Sequence, residues 1–321
     1  MRASIQDRYP LISVVLISYN GEQYIEQQIQ SVLSQSYPRF ELIVSDDGST
    51  DGTMGILEEF RKNHENVHVY VNDGVNGIHG NLTHGLSKTQ GEFIAICDQD
   101  DVWDPQKLEI LSSHLEGKSA AYCDSALIDE NGHSIGMTMK QFIGGADLNI
   151  DSNYKVLLID NCVSGHAMLF RRELLARVLP FSELPMYDQQ IALVAAASQG
   201  VVYADRTMVF HRQHAGNSNN QIVSKKVCRK DALRNVKKLM MLLESARLLS
   251  QSDRPVSVTV KDSGRFLSVV RHLEGASLEK TGSKTFDLKL FLLLLPVGRS
   301  LFYFSSKKRS WLKRLYRLCR Y

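Results

Sequence analysis

Residues 11–17 (LISVVLI) form an unbroken apolar run rich in β-branched side chains. Such a run reads as a parallel strand buried on both faces. That reading constrains the chain strongly, because parallel strands need crossover segments between them. The following residues supply the crossovers. Ile25, Ile29, Val32 and Leu33 share one face of a helix predicted over 22–35. A short strand from Phe40 to Ser45 runs into DDGSTDGT, where Thr50 or Asp51 can cap a helix over 52–63. A strand at 67–71, a helix at 80–88 and a strand at 93–97 follow, and the last ends on DQDD. This alternation predicts an α/β fold, a mostly parallel sheet flanked by helices on both faces.

Ligands of such sheets bind at the carboxyl ends of the strands. Tyr19, Asn20, Asp46, Asp47 and the run Asp98-Gln99-Asp100-Asp101 all fall at such ends. Residues two apart in an extended segment point to the same side, so Asp98 and Asp100 can face one ion. Carboxylate oxygens suit Mg2+ or Mn2+, which can bridge them to a diphosphate. The alternative is a solvated acidic turn capping the helix that begins at Pro105. Asp46 and Asp47 precede Gly48, which can take positive φ. They either cap that turn or accept hydrogen bonds from a nucleotide base or ribose.

Beyond residue 120 the pattern loosens. Strands near 119–124 and 163–170 flank Gly144-Gly145, a helix spans 188–198, and a strand follows near 201–204. VFHRQHAGNSNN reads as a strand entering a polar loop, with His211 and His214 alternating along it. Residues 225–273 read as two helices. The net charge of +3 is too small to argue for nucleic acid. Its distribution matters more: no acidic residue follows Asp287, whereas Lys307, Lys308, Arg309, Lys313, Arg314, Arg317 and Arg320 crowd the end. Trp311, Leu312, Leu315 and Leu318 lie among them, as in a helix resting on anionic lipid or docked on a protein. The apolar run before it is too broken by Pro296, Gly298 and Arg299 for a membrane span. The 5 cysteines are scattered without a CxxC pair, which fits a reducing compartment rather than a disulfide framework or zinc site. MRASIQDRYP carries no signal-peptide apolar stretch. The expected location is therefore the cytoplasm, peripheral on the inner face of the cell membrane.

VVLISYNGEQYIEQQIQSVLSQSYPRFELIVSDDGSTDGT and GEFIAICDQDDVWDPQKLE together resemble family 2 glycosyltransferases of the GT-A fold. The similarity is strong over 11–115 and weaker to about 220. The nearest subgroup is the rhamnosyltransferase-like enzymes of bacterial O-antigen, capsule and other cell-surface polysaccharides. The resemblance implies a GT-A catalytic domain over 1–222, with a nucleotide-binding half at 10–115 and an acceptor half at 116–222. A helical extension (223–285) and a basic amphipathic, membrane-associating tail (286–321) follow.

The resemblance also implies roles. Ser18 and Tyr19 pack on the base and ribose, and Asp46 hydrogen-bonds the base, with Asn20, Asp47 and Gln99 completing the nucleotide site. Asp98 and Asp100 match the DxD motif, Asp100 being the direct ligand of Mn2+ or Mg2+, and His214 contacts the metal or diphosphate. Asp101 and Trp103 shape the sugar pocket. Arg212 either pairs with phosphate or lies on the surface. Asp188 matches the general base, although it can also serve as a helix N-cap. The subgroup's HDWW reads Tyr187-Asp188-Gln189-Gln190 here, which leaves the acceptor pocket open.

The implied activity is inverting transfer from a nucleotide diphosphate sugar to a hydroxyl of a polyprenyl-diphosphate-linked glycan. dTDP-rhamnose is the first donor expected; UDP-galactose, UDP-glucose and UDP-N-acetylglucosamine are alternatives. A dinucleotide-binding oxidoreductase is disfavoured because SYNGEQ follows the first strand instead of GxGxxG. Neither a P-loop nor the QxxRW of processive polymer synthases is present. A non-catalytic, membrane-bound sugar-nucleotide scaffold is the contrasting class.

Overall fold

The first strand, β1 (Ile12–Ser18), lies between two parallel neighbours, and its register sets the geometry of everything beyond its carboxyl end. The computed structural model describes residues 9–142, 157, 161–181 and 186–217, all within the compact unit Met1–Ile222. Helix α1 (Ile25–Leu33) follows β1. It starts at the first apolar residue of its pattern and later than the predicted residue 22, because the amides of Tyr24 and Ile25 first close a turn on the Gly21 carbonyl. Then come β2 (Phe40–Asp46), α2 (Thr53–Asn63), β3 (Val67–Val71), α3 (Ile78–Ser87) and β4 (Phe93–Asp98). In the parallel ladders Ser18 is level with Asp46, and Ile17 with Asp98. The polar residues that end these strands therefore share one edge.

The second half is mixed rather than parallel. It comprises β5 (Val102–Trp103), α4 (Lys107–His114), β6 (Ala120–Ile128), β7 (Ser134–Thr138), the short helix α5 (Met139–Phe142), β8 (Met168–Arg171), the short helix α6 (Leu175–Val178), α7 (Tyr187–Ala197) and β9 (Val201–Arg212). Among the described residues the sheet has 9 strands in the order β3-β2-β1-β4-β8-β6-β9-β5, with β7 beside β6. β8 runs antiparallel to both β4 and β6, and β5 antiparallel to β9. The strand expected at 163–170 is confined to β8, since Gly165–Ala167 form a 3-10 turn first. β9 is far longer than the strand expected at 201–204 and runs to Arg212. The core packs Ile12, Val14 and Leu16 of β1 against Ile25, Ile29 and Val32 of α1, all fully buried. Gly144-Gly145, the helices expected over 225–273 and the basic tail lie outside the described residues. Among the described residues no helix is long and apolar enough to cross a membrane.

Candidate active site

The turn after β2 is built by Asp46. Its Oδ2 accepts from the Ser18 and Ser49 hydroxyls at 2.7 and 2.6 Å, and its Oδ1 from the amides of Gly48 and Ser49 at 3.1 and 2.7 Å. Gly48 takes φ +82°, which lets the chain curl around the carboxylate. Asp46 is fully buried and Ser18 nearly so. Both hold the turn together, and in this structure neither side chain, though expected to meet the nucleotide, is open to the surface. Asp47 stays half-buried and ties the next loop, accepting from Asn72 Nδ2 and the Gly77 amide, both at 2.7 Å.

Tyr19 is the open surface here, with the residue 57% exposed. Gln99 clips its backbone from both sides: Oε1 accepts from the Tyr19 amide at 2.9 Å and Nε2 donates to its carbonyl at 3.1 Å. A Cβ on Gly21 would collide with the Gln99 amide, so this close approach requires glycine there. Gln99 is thereby a fastener rather than a free ligand. Asn20, at φ +48°, accepts from the Thr50 amide and braces the same turn.

β4 ends at Asp98, and Gln99 and Asp100 turn. The alternation expected of an extended segment does not apply, and the two carboxylates meet different histidines. Asp98 Oδ2 lies 3.3 Å from His166 Nδ1, whereas Asp100 Oδ2 lies 2.8 Å from His214 Nε2. His214 is not on β9, as its alternation with His211 had implied. It sits in the following turn, where its amide donates to Asn217 Oδ1 and Asn217 Nδ2 donates to the Arg212 carbonyl. Burial pushes the Asp100 carboxyl up to about 6, aided by Asp101 and Asp98 and opposed by His214.

Asp101 is fully buried. Its Oδ1 accepts from His211 Nδ1 at 2.9 Å and from the Arg212 amide at 3.1 Å. Burial opposes its charge, but His211 and His166 outweigh burial and hold it below the usual carboxylate range. The same contact overcomes the burial of His211 and raises its imidazole to about 9. A buried ion pair is thus in place behind the turn.

Two expected ligand contacts become structural. Arg212 is 2% exposed, and its guanidinium donates to the carbonyls of Asp100, Asp129 and Glu130 and to Gln27 Oε1. It also lies over the Tyr24 ring. The guanidinium expected to meet a phosphate or sugar is thus engaged within the fold. Trp103, also 2% exposed, belongs to the core and carries the Lys107 ammonium over its ring rather than lining a pocket. Asp101 likewise has no surface to offer a sugar.

Asp188 is the second residue of α7, beyond the N-cap position held by Met186. Its Oδ1 accepts from the Gln189 amide at 2.7 Å, and the Asn161 side chain also bonds it. Burial pushes its carboxyl up to about 6, against the pull of these bonds and of His166; Asp98 adds to the rise. Gln189 and Gln190 are buried and donate to the carbonyls of Leu157 and Val178. The positions that differ from HDWW therefore brace α7 from within.

His166, Lys107 and Asn161 join this site without having been singled out in the sequence. A histidine after Ser-Gly and a lysine four residues past a tryptophan carry no motif signal of their own. For a divalent cation, two neighbouring ligands of one octahedral ion at about 2.1 Å stand about 3 Å apart. Asp100 Oδ2 and His214 Nε2, hydrogen-bonded at 2.8 Å, have a spacing close to that of two such ligands. Asp101, His166 and His211 also bring one ligand atom each within 4.8 Å of one another.

Comparison with known proteins agrees with this architecture. The profile of Glycosyl transferase family 2 matches residues 13–179, just over half of the 321 residues. The putative teichuronic acid biosynthesis glycosyltransferase TuaG of Bacillus subtilis (strain 168) is 40% identical over 113 residues, covering 35% of this chain and 45% of TuaG. An uncharacterized glycosyltransferase of Haemophilus influenzae is 30% identical over 212 residues, 63% of this chain and 79% of its own. The chain spans about half the length of several curated relatives it matches. S. aureus TarS 1–349, solved with UDP-GlcNAc, superposes with TM-score 0.57 at 19% identity, covering 90% of this chain and 81% of TarS. Mannosyltransferase PcManGT of Pyrobaculum calidifontis, solved with GDP-Man and Mn2+, gives 0.52 at 18% identity over 97% and 85% of the two chains. These likenesses show the shared fold. The matched profile, the level strand ends and the acidic turn after β4 together make this chain a member of glycosyl transferase family 2.

Proposed function

We propose that the protein transfers a sugar from a nucleoside diphosphate to a hydroxyl of a glycan acceptor, inverting the anomeric centre. The observation that carries this reading is the pairing of Asp100 with His214 at one strand-end turn, while Asp188, on a separate element, feels the field of Asp98. The first pair suits a hard cation and the diphosphate; the separate carboxylate suits a proton. Tyr19 offers its exposed ring to the base, and Asp47 keeps lone pairs for a base N–H, a role reassigned from the saturated Asp46. Mn2+ or Mg2+ held by Asp100 and His214 would neutralise charge on the leaving diphosphate. Asp188 takes the proton of the acceptor hydroxyl as that oxygen bonds the anomeric carbon. The anomeric bond to the diphosphate oxygen breaks on the opposite face.

The acceptor class we infer is a polyprenyl-diphosphate-linked glycan at the inner membrane face. TuaG, named for teichuronic acid biosynthesis, and the basic tail after Asp287 support it. dTDP-rhamnose is the first donor to test. UDP-hexoses come next, since TarS of the same fold was solved with UDP-GlcNAc. A panel of nucleotide sugars, followed by release of the nucleoside diphosphate with Mn2+ and with chelator, tests the reading. Metal-dependent release from one donor supports it. A protein that neither binds nor cleaves any donor is the scaffold instead.

A further inference from the structure

His166 faces two carboxylates of the DQDD turn at once. It is 5% exposed, and its Nδ1 lies 3.3 Å from Asp98 Oδ2 and 3.6 Å from Asp101 Oδ2. Asp101 Oδ2 is buried and has no hydrogen-bond partner, so this imidazole is what answers it. The ring is fixed on its other sides. Nε2 lies 2.9 Å from Ser125 Oγ, and the ring stacks on His211 with centroids 4.5 Å apart. Its backbone carbonyl accepts from the fully buried Lys107 ammonium. Lys107 sits among Asp98, Asp101 and two cysteine thiols, and supplies a cation beneath the acidic turn.

This arrangement has a consequence for Asp100, the residue between the two bridged carboxylates. Without His166, Asp98 would lose the imidazole 3.3 Å from its Oδ2, and the carboxylates of Asp98 and Asp101 would face each other and Asp100 with less positive charge between them. Resting on the nucleotide-sugar reading above, we propose that His166 is a positioning residue of the donor site: its Nδ1–H donates to Asp98 and faces Asp101 Oδ2 electrostatically at 3.6 Å, a bridge that fixes both ends of the turn so that Asp100 is presented to His214 and the cation. His166 does not touch the donor. Its effect passes through the three carboxylates, and remote partners of this kind typically alter metal affinity by about 10–100-fold.

The two ring nitrogens allow a discriminating test, because an asparagine amide can stand where Nδ1 stands and a glutamine amide where Nε2 stands. His166→Asn keeps a donor toward Asp98; His166→Gln keeps one toward Ser125 only. The dissociation constants of Mn2+ with UDP, dTDP or GDP, whichever the wild type binds, are measured for both variants, with thermal melts as the fold check. The expected result is near-wild-type binding for His166→Asn and binding weaker by about 10–100-fold for His166→Gln. Equal weakening in both, or none in His166→Gln, overturns the bridge. Should His166→Asn not fold, Ser125→Ala takes its place: it removes only the Nε2 partner and is expected to bind as wild type, and a loss matching that of His166→Gln overturns the bridge. Failure of the wild type to bind any of the three with Mn2+ overturns the nucleotide-sugar reading itself, and this proposal with it.

Discussion

Asp100 and His214 meet at 2.8 Å although they lie 114 positions apart in the chain. The contact depends on two local events: β4 stopping at Asp98, and Asn217 closing the turn after β9. Removing His214 should leave Asp100 with its neighbours Asp98 and Asp101 and without its counter-group. His214→Ala is expected to weaken Mn2+ affinity by about 10–100-fold while the melting temperature changes little. Titration with Mn2+, read by electron paramagnetic resonance of the free ion, checks it.

Asp46 and Asp47 are chemically identical neighbours with different work. Ser18→Ala removes one of the hydrogen bonds that Asp46 accepts and should cost about 1 kcal/mol of stability, with nucleotide affinity kept. Asp47→Asn should weaken nucleotide binding, which Ser18→Ala leaves intact, and should also lose one of the two hydrogen bonds that tie the next loop. Melting curves and equilibrium binding on the two variants separate the roles.

Arg212 is a structural pin. Its truncation leaves the carbonyls of Asp100 and Glu130 and the Gln27 amide oxygen without their donor. Glu130 and Gln27 are exposed residues whose acceptors water can take over, so the half-buried Asp100 carbonyl carries most of the cost, and Arg212→Ala should lose about 1–3 kcal/mol. Arg212→Lys should rescue little, because an ammonium cannot reproduce the fork. Urea unfolding of both variants measures this.

The Asp101–His211 pair makes stability depend on pH from two sides. The His211 imidazole is raised to about 9 in the fold, so its contribution is complete below its ordinary value near 6.5 and is lost as pH rises through about 9. Asp101 is lowered, so its contribution is present above its ordinary value near 3.9 and is lost as pH falls below it. Melting temperature should therefore decline between about pH 6.5 and 9, and His211→Phe should flatten that decline. A decline of equal size in the variant would assign it to other groups.

The parallel half of the fold was legible in the sequence, for a physical reason. Strands such as LISVVLI are buried on both faces, so apolar content alone marks them, and the acidic residues that end them must share an edge. The mixed half was less legible. β8 and β9 take their direction from partners far away in the chain, and only three residues of the expected strand at 163–170 pair as one. Within the site, composition could not say which aspartate of a pair turns inward. Strand register decides it, since Asp46 is the last residue level with Ser18 and points its carboxylate into the turn. Arg212 and Trp103 misled for a similar reason: a residue type that often meets ligands met the core here. His166 and Lys107 were invisible because isolated buried polar residues have no spacing to read.

Asp188 is proposed as the proton acceptor of a transfer reaction, and its carboxyl, pushed up to about 6 by burial, ties that role to pH. The direct measurement is the pH profile of transfer by the wild type beside Asp188→Asn, with nucleotide binding measured on both. Wild-type kcat/KM is expected to fall about tenfold per unit below pH 6, where the carboxylate takes up a proton. Asp188→Asn is expected to bind the nucleotide as tightly while transfer drops by about 10²–10⁴. Transfer by Asp188→Asn at the wild-type rate, with the same fall below pH 6, would contradict that role.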